Sequence, residues 1–236
     1  MHMTDSPVAL ITGGGSGIGA ATARQLLEQG YRVTVTGRSG DRLRRFAAEL
    51  GEPDGLLVMP GHAADHEAVR TAVAATLTTF GRLDVVVANA GYATFDDLAD
   101  GDPTGWDDMV LTNVLGPALL INAALPALRE SQGRIVLVGS VAGHIHTPGN
   151  IYGATKWAVT GIAENTRRMV TAEGIGVTLI SPGATKTNFF DGAPGGLPNR
   201  DFLPPEQLGK TIVWAISQPS GVDINTLIVR PVGQPV

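Results

Sequence analysis

At 236 residues the chain is long enough to bury a substantial core as one domain, and 43% hydrophobic with 17% charged residues excludes a disordered polypeptide. A net charge of −5 and the lack of a dense Lys/Arg run argue against a nucleic-acid or anionic-membrane surface, leaving Arg42, Arg44 and Arg45 as a solvated helix face. With no cysteine there is no disulfide framework or thiolate metal site, and no apolar run near the roughly 18 residues of a membrane span is read, so a soluble cytoplasmic protein without a bound metal is expected.

The first element is a short apolar strand, Val8 to Ile11, running into Thr12-Gly13-Gly14-Gly15-Ser16-Gly17-Ile18-Gly19 and then an Ala-rich helix over 17–29. Glycines at 13, 17 and 19 suit a tight turn, close approach of backbone to a diphosphate, and close helix–sheet contact, while free N–H groups at the helix start attract an anion. Gly13, Gly15, Ser16, Gly17, Ile18 and Gly19 are therefore candidate dinucleotide ligands. A glycine cluster alone is compatible with an ordinary loop; the strand-to-helix context is what favours the site.

Strand-like runs follow at Arg32 to Thr36, Gly55 to Met59, Asp84 to Ala88, Arg134 to Gly139, Val177 to Ser181 and Thr226 to Val229, alternating with helices predicted over 40–50, 65–80, 104–128, 150–173 and 205–217. This order predicts a single-domain doubly wound, Rossmann-type α/β fold, its mostly parallel sheet covered by helices on both faces. Ligands of such sheets bind beyond the carboxyl ends of the strands, where the glycine loop, Asn89-Ala90-Gly91, Ser140 and Pro182-Gly183 all fall. The Gly/Pro-rich stretch from Asp191 to Pro205 reads as a mobile loop, a substrate lid spanning about 186–205, with a frayed surface loop as the alternative.

Tyr152 and Lys156 stand four residues apart on the 150–173 helix, about 6 Å of rise, so a phenol and an ammonium share one face. A nearby cation favours the phenolate and draws a Tyr pKa down from its ordinary value near 10. A Tyr packed beneath a snorkelling Lys has the same spacing.

Thr12-Gly13-x-x-x-Gly17-Ile18-Gly19, Asn89-Ala90-Gly91, Asn113, Ser140, Tyr152-x-x-x-Lys156 and Pro182-Gly183 with Thr187 together resemble the short-chain dehydrogenase/reductase family over nearly the whole chain. The resemblance implies a nicotinamide-dependent oxidoreductase with a tetrad of Asn113, Ser140, Tyr152 and Lys156. Tyr152 would exchange the proton, Ser140 would orient the carbonyl oxygen, Lys156 would bind the nicotinamide ribose, and Asn113 would anchor a water leading to Lys156; locally, Asn113 also reads as a cap or kink. Asn89, Ala90, Gly91, Tyr152, Lys156, Pro182, Gly183, Thr185 and Thr187 complete the implied cofactor set, with Ser140, His144 and Tyr152 toward the substrate. A redox sensor that binds the cofactor without turnover, and a structural subunit, are the competing readings.

Cofactor choice falls on the end of the second strand, where Gly37 replaces the acid that would hold the ribose diol of NAD and Arg38-Ser39 can hold a 2′-phosphate, so NADP(H) is expected, with NAD second. Ser16 stands where many NADP-using relatives are basic, and His62 where the family usually has an Asp at the adenine. His144 and His146 are expected to face the substrate. The tail, Val222 to Val232, resembles the serine and 3-hydroxy acid branch, and Arg230 reads as a substrate-carboxylate partner or a surface ion pair. The family resemblance also implies a homotetramer or homodimer packed through the helices near 104–128 and 150–173.

Overall fold

The computed structural model describes residues 6–193 and 201–235. Its strands are β1 (Val8–Thr12), β2 (Arg32–Gly37), β3 (Leu56–Pro60), β4 (Val85–Ala88), β5 (Arg134–Val138), β6 (Gly176–Pro182) and β7 (Thr226–Val229). The helices are α1 (Gly17–Glu28), α2 (Gly40–Glu49), α3 (His66–Phe80), α4 (Trp106–Val110), α5 (Gly116–Ser131), α6 (Ile151–Val170) and α7 (Pro205–Ile216). The described strands form one sheet, parallel throughout, in the order β3-β2-β1-β4-β5-β6-β7. The expected α/β architecture is thus the observed one.

Alternation along each strand divides the core between two faces. Val8, Leu10, Val86, Ile135 and Leu137 pack with residues of α3, α5 and α6. Ala9, Ile11, Val33, Val85 and Val136 pack on the other side with residues of α1, α2 and α7. Local chemistry sets the helix starts: Ser39 accepts from the Arg42 N–H, Asp65 from Ala68 and Asn150 from Gly153. Gly81, at φ +80°, ends α3 in the left-handed conformation.

The run predicted as one helix over 104–128 is continuously helical from Pro103 to Ser131 but changes type along its length. A 3₁₀ turn (Pro103–Gly105) leads into α4, a π-helical segment covers Leu111–Leu115, and α5 follows. Pro117 is the reason: it has no N–H for the Asn113 carbonyl four residues back, and its ring crowds that carbonyl, so the helix widens there. The same stretch, Pro103–Ser131, is long and apolar enough by composition to cross a membrane, contrary to the expectation from inspection. Its hydrophobicity has a local destination, because Leu120, Ile121, Ala124 and Leu128 are buried in the core.

The chain leaves β1 outward to β2 and β3 and returns to β4 on the opposite side of β1. That reversal opens a crevice above the carboxyl ends of β1 and β4, the usual ligand position of such sheets. Of the expected lid, residues 194–200 lie outside the described residues; the flanks form a 3₁₀ turn at Asn188–Phe190 and a bridge between Thr185 and Leu203.

Candidate active site

The crevice is a cleft of about 1030 Å³, above the roughly 300–1,000 Å³ of sites that hold one small molecule. Its floor is the glycine turn. A Cβ on Gly19 would lie 2.4 Å from the Gly13 carbonyl oxygen and 2.6 Å from the Asn89 amide nitrogen, so only glycine lets α1 start this close to the turn. Gly17 takes φ +54° with Thr187 packed against its Cα, joining the loop after β6 to the turn after β1. Ser16 caps α1 through its backbone with no side-chain bond to the first N–H groups, which therefore keep their donors for an anion.

Thr12 and Asn89 hold this turn against β4. Asn89 Nδ2 donates to the carbonyls of Thr12 (2.9 Å) and Gly13 (3.3 Å), and the Asn89 and Ala90 N–H groups both donate to Thr12 Oγ1 at 3.1 Å. Asn89 and Ala90 line the cleft, as do Gly91, Pro182, Gly183, Thr185 and Thr187.

Ser140, Tyr152 and Lys156 meet at the cleft floor. Ser140 ends β5 in extended conformation and accepts from the Ala142 N–H at 3.1 Å, which fixes its hydroxyl, and it hydrogen-bonds Tyr152. Burial pushes the Tyr152 phenol up to about 12, against the smaller opposing effect of that hydrogen bond. Lys156 is only 5% exposed and burial alone brings it down to about 8. Its Nζ donates to the Val138 carbonyl at 3.0 Å and stands 5.7 Å from the Tyr152 ring centroid. The expected cationic pull toward phenolate is not among the causes that move Tyr152, and desolvation places the phenol further from ionisation than in water.

Asn113 is buried in the π segment beneath the site, outside the cleft lining. Its Nδ2 donates to Tyr92 O (2.9 Å) and Thr155 Oγ1 (3.0 Å), and its Oδ1 accepts from the Tyr92 N–H (3.0 Å). Through these bonds it ties the loop after β4 to the helix that carries Tyr152 and Lys156. A Cβ on Gly91 would meet Asn113 Oδ1 at 3.0 Å and Lys156 Nζ at 3.4 Å, so the three groups converge.

At the other end of the cleft Arg38 follows β2, over the Tyr92 ring at 5.4 Å. Its Nη1 pairs with Asp108 Oδ2 at 3.1 Å, the oxygen that also accepts from Tyr92 Oη at 2.7 Å. His62 Nε2 lies 2.9 Å from Asp108 Oδ1 while its Nδ1 accepts from the Ala64 N–H at 3.1 Å, which assigns the proton to Nε2. The Tyr92 hydrogen bond is the main cause holding the Asp108 carboxyl below the ordinary carboxylate range. Ser39 accepts the Arg42 N–H as a helix cap, leaving its own hydroxyl proton to donate. Arg42, read from sequence as solvated, lines the cleft beside Arg38; its place in the first turn of a helix directly after β2 was the available signal.

Three expectations are corrected. His144 turns away from the cleft, its Nε2 2.8 Å from Ser181 Oγ on β6, and burial, helped by the charge of Arg230, lowers its pKa. His146 stacks on Trp157 at 5.1 Å. Arg230 makes no surface ion pair among the described residues, and its buried Nε has no hydrogen-bond partner there.

Residues 7–194 match the family model described as short chain dehydrogenase. The chain belongs to the short-chain dehydrogenase family. It is accordingly an oxidoreductase. This short-chain dehydrogenase is 34% identical to an uncharacterised oxidoreductase of Staphylococcus aureus (strain MW2), over 98% of this chain and 100% of that one. Among solved structures it is similar to the closed form of a serine dehydrogenase complexed with NADP+ (TM-score 0.90, 31% identity, 97% and 96% of the two chains). It is also similar to a 3-ketoacyl-(acyl-carrier-protein) reductase from Brucella melitensis complexed with NADH (TM-score 0.84, 27% identity, 97% and 98%).

Proposed function

We propose that this short-chain dehydrogenase uses NADP(H) to interconvert a secondary alcohol and its ketone, with Tyr152 as general acid and base. The observation that carries the reading is the meeting of Ser140, Tyr152 and Lys156 on the floor of a cleft that continues to the glycine turn. The residues fit a dinucleotide: the turn admits no Cβ at Gly19, and the first N–H groups of α1 are without a side-chain cap. When bound, a nicotinamide supplies or accepts the hydride. Tyr152 Oη gives its proton to the carbonyl oxygen in reduction and takes the alcohol proton in oxidation. Ser140 Oγ donates to the same oxygen and orients it. Lys156 holds the ribose and passes protons to Tyr152, and Asn113 is a positioning residue that keeps helix and loop in register.

The cofactor phosphate falls to Arg38, Arg42 and Ser39, with Asp108 as an opposing charge already paired to Arg38. Fluorescence titration with NADPH and NADH tests this. A charge-assisted hydrogen bond is worth about 1.5–3 kcal/mol, so Arg38→Ala should weaken NADPH binding by roughly 10- to 100-fold and leave NADH unchanged. Asp108 is half-exposed, where an ion pair contributes about 0.2–1 kcal/mol, so Asp108→Asn should tighten NADPH by roughly 1.4- to five-fold. A wild-type preference for NADH, or equal losses for both cofactors in Arg38→Ala, overturns the NADP assignment.

We also propose that copies of the chain pair through α4, the π segment and α6. Val110, Leu111, Leu115 and Trp157 are each 40–44% exposed there. Light scattering should report a dimer or tetramer, and Leu111→Lys should shift it toward monomer.

A further inference from the structure

The chain is poor in aromatics, 5% of its residues, with six phenylalanines in all. Phe46 and Phe80 are buried in the core. The other four gather beside Tyr152. Phe95, in the loop after β4, lies 5.3 Å from Phe189 and 5.8 Å from Phe190, both in the 3₁₀ turn after β6. Phe189 stands 5.4 Å from the Tyr152 ring, and Phe202 stands 5.4 Å from Phe190. None is fully buried, and Phe95, Phe189 and Phe190 face the cleft. Phe95 does so at φ +61°, a backbone region that bulky side chains rarely enter. An aromatic held in a strained conformation and open to the cleft, against the Phe189 ring that touches the proton donor, is placed for a ligand rather than for packing.

The charges of this end are as one-sided as its surface. Among the described residues the cations of the cleft lining are Arg38 and Arg42, beyond β2, and Lys156, which is engaged with Val138. The substrate end instead carries Asp96 and Asp97. Asp96 is kept ionised by hydrogen bonds from Thr94 and from Trp106 Nε1, the latter at 2.9 Å, which hold its carboxyl below the ordinary range. His144 and Arg230, the groups that suggested a carboxylate partner in the sequence, are outside the lining.

We propose that the substrate end of the cleft accepts an uncharged, aryl-bearing ketone or its secondary alcohol and disfavours a substrate carboxylate. This rests on the oxidoreductase reading above and names its substrate class. Edge and offset contacts with Phe95, Phe189 and Phe190 reward an aromatic ring. Among the described residues a carboxylate at the same place would find no free cation and would share the lining with Asp96 and Asp97.

Methyl 4-acetylbenzoate and 4-acetylbenzoate, nearly equal in size and differing in charge, make the test. Calorimetric affinities are measured with and without NADPH, and reduction is followed at the nicotinamide absorbance. The ester should bind at least 10-fold more tightly and show at least 10-fold higher kcat/KM than the acid. Phe189→Ala should weaken ester binding about 10-fold and change acid binding less than two-fold, while Asp96→Asn should improve the acid several-fold. Equal or better binding of the acid, failure of both ketones to bind, or an ester affinity indifferent to Phe189→Ala overturns the proposal. Ester-selective binding in a protein that neither binds NADPH nor reduces the ketone upholds this cleft assignment and overturns the oxidoreductase reading alone.

Discussion

Tyr152→Phe is expected to lower kcat/KM for carbonyl reduction by about 10²- to 10⁴-fold, the usual contribution of a positioned proton donor. The variant keeps the ring, and with it the contact to Phe189 at 5.4 Å, so thermal stability and NADPH affinity should stay close to wild type. The effect is then on the reaction and not on the fold. With the phenol pushed up to about 12, the wild-type group is protonated at neutral pH, which suits reduction: the proton is already on Tyr152 Oη when the carbonyl oxygen needs it. Oxidation needs the phenolate. Its rate should rise tenfold per pH unit through the alkaline range, while reduction stays flat below the phenol pKa. Ser140→Ala should cost less, because it removes a donor to the carbonyl oxygen and leaves the proton source. Full turnover in Tyr152→Phe would mean that the proton comes from elsewhere and would end the assignment; unchanged NADPH binding with lost turnover separates an enzyme from a cofactor sensor.

The parts of this molecule that were legible in the sequence are those set by neighbours in the chain. Thr226–Val229 is a strand as read, and the other strands agree within about a residue at each end, because buried parallel strands write themselves as short apolar runs between glycine and proline. The glycine turn was legible for a similar reason: strand, turn and helix are consecutive. The helix read over 104–128 is a continuous helical run, but the π segment inside it was not read although its cause, Pro117, was visible; apolar periodicity on both sides of the proline outweighed one missing donor. What the sequence hid is what distant segments share. Arg38, His62 and Tyr92 come from three loops and Asp108 from α4, and nothing in their spacing announces that one carboxylate serves three partners. The phenylalanine wall joins residues 95, 189 and 190 in the same way. His144 misled because its loop lies near the substrate end, whereas the direction of its ring is fixed by Ser181 on β6.

Lys156→Met separates the effect on catalysis from the effect on stability. Turnover should fall at least 100-fold, since the variant loses the cation beside Tyr152. Stability depends on pH. In the folded protein Lys156 titrates at about 8, against an ordinary value of 10.5 for the unfolded chain. Below pH 8 both states carry the proton, and folding bears the full cost of the buried charge. Between pH 8 and 10.5 the folded state releases the proton while the unfolded state keeps it, so this group makes wild-type stability rise with pH, by about 3 kcal/mol across the window. Tyr152 acts in the other direction: with its folded value near 12 and an unfolded value of 10.0, its contribution is lost as pH climbs from 10 to 12. Methionine removes the charge but leaves the Val138 carbonyl without its donor, a loss of about 1–3 kcal/mol. At pH 7 the two changes nearly offset, and Lys156→Met should lie within about 1 kcal/mol of wild type. By pH 9.5 about 2 kcal/mol of the buried-charge cost has been relieved in the wild type alone, so the variant should be about 2 kcal/mol less stable relative to wild type than it is at pH 7. Urea midpoints of both proteins from pH 7 to 9.5 measure the difference, free of every titration the two share. Parallel curves would show that Lys156 is not the buried, depressed amine on which the proton relay to Tyr152 depends.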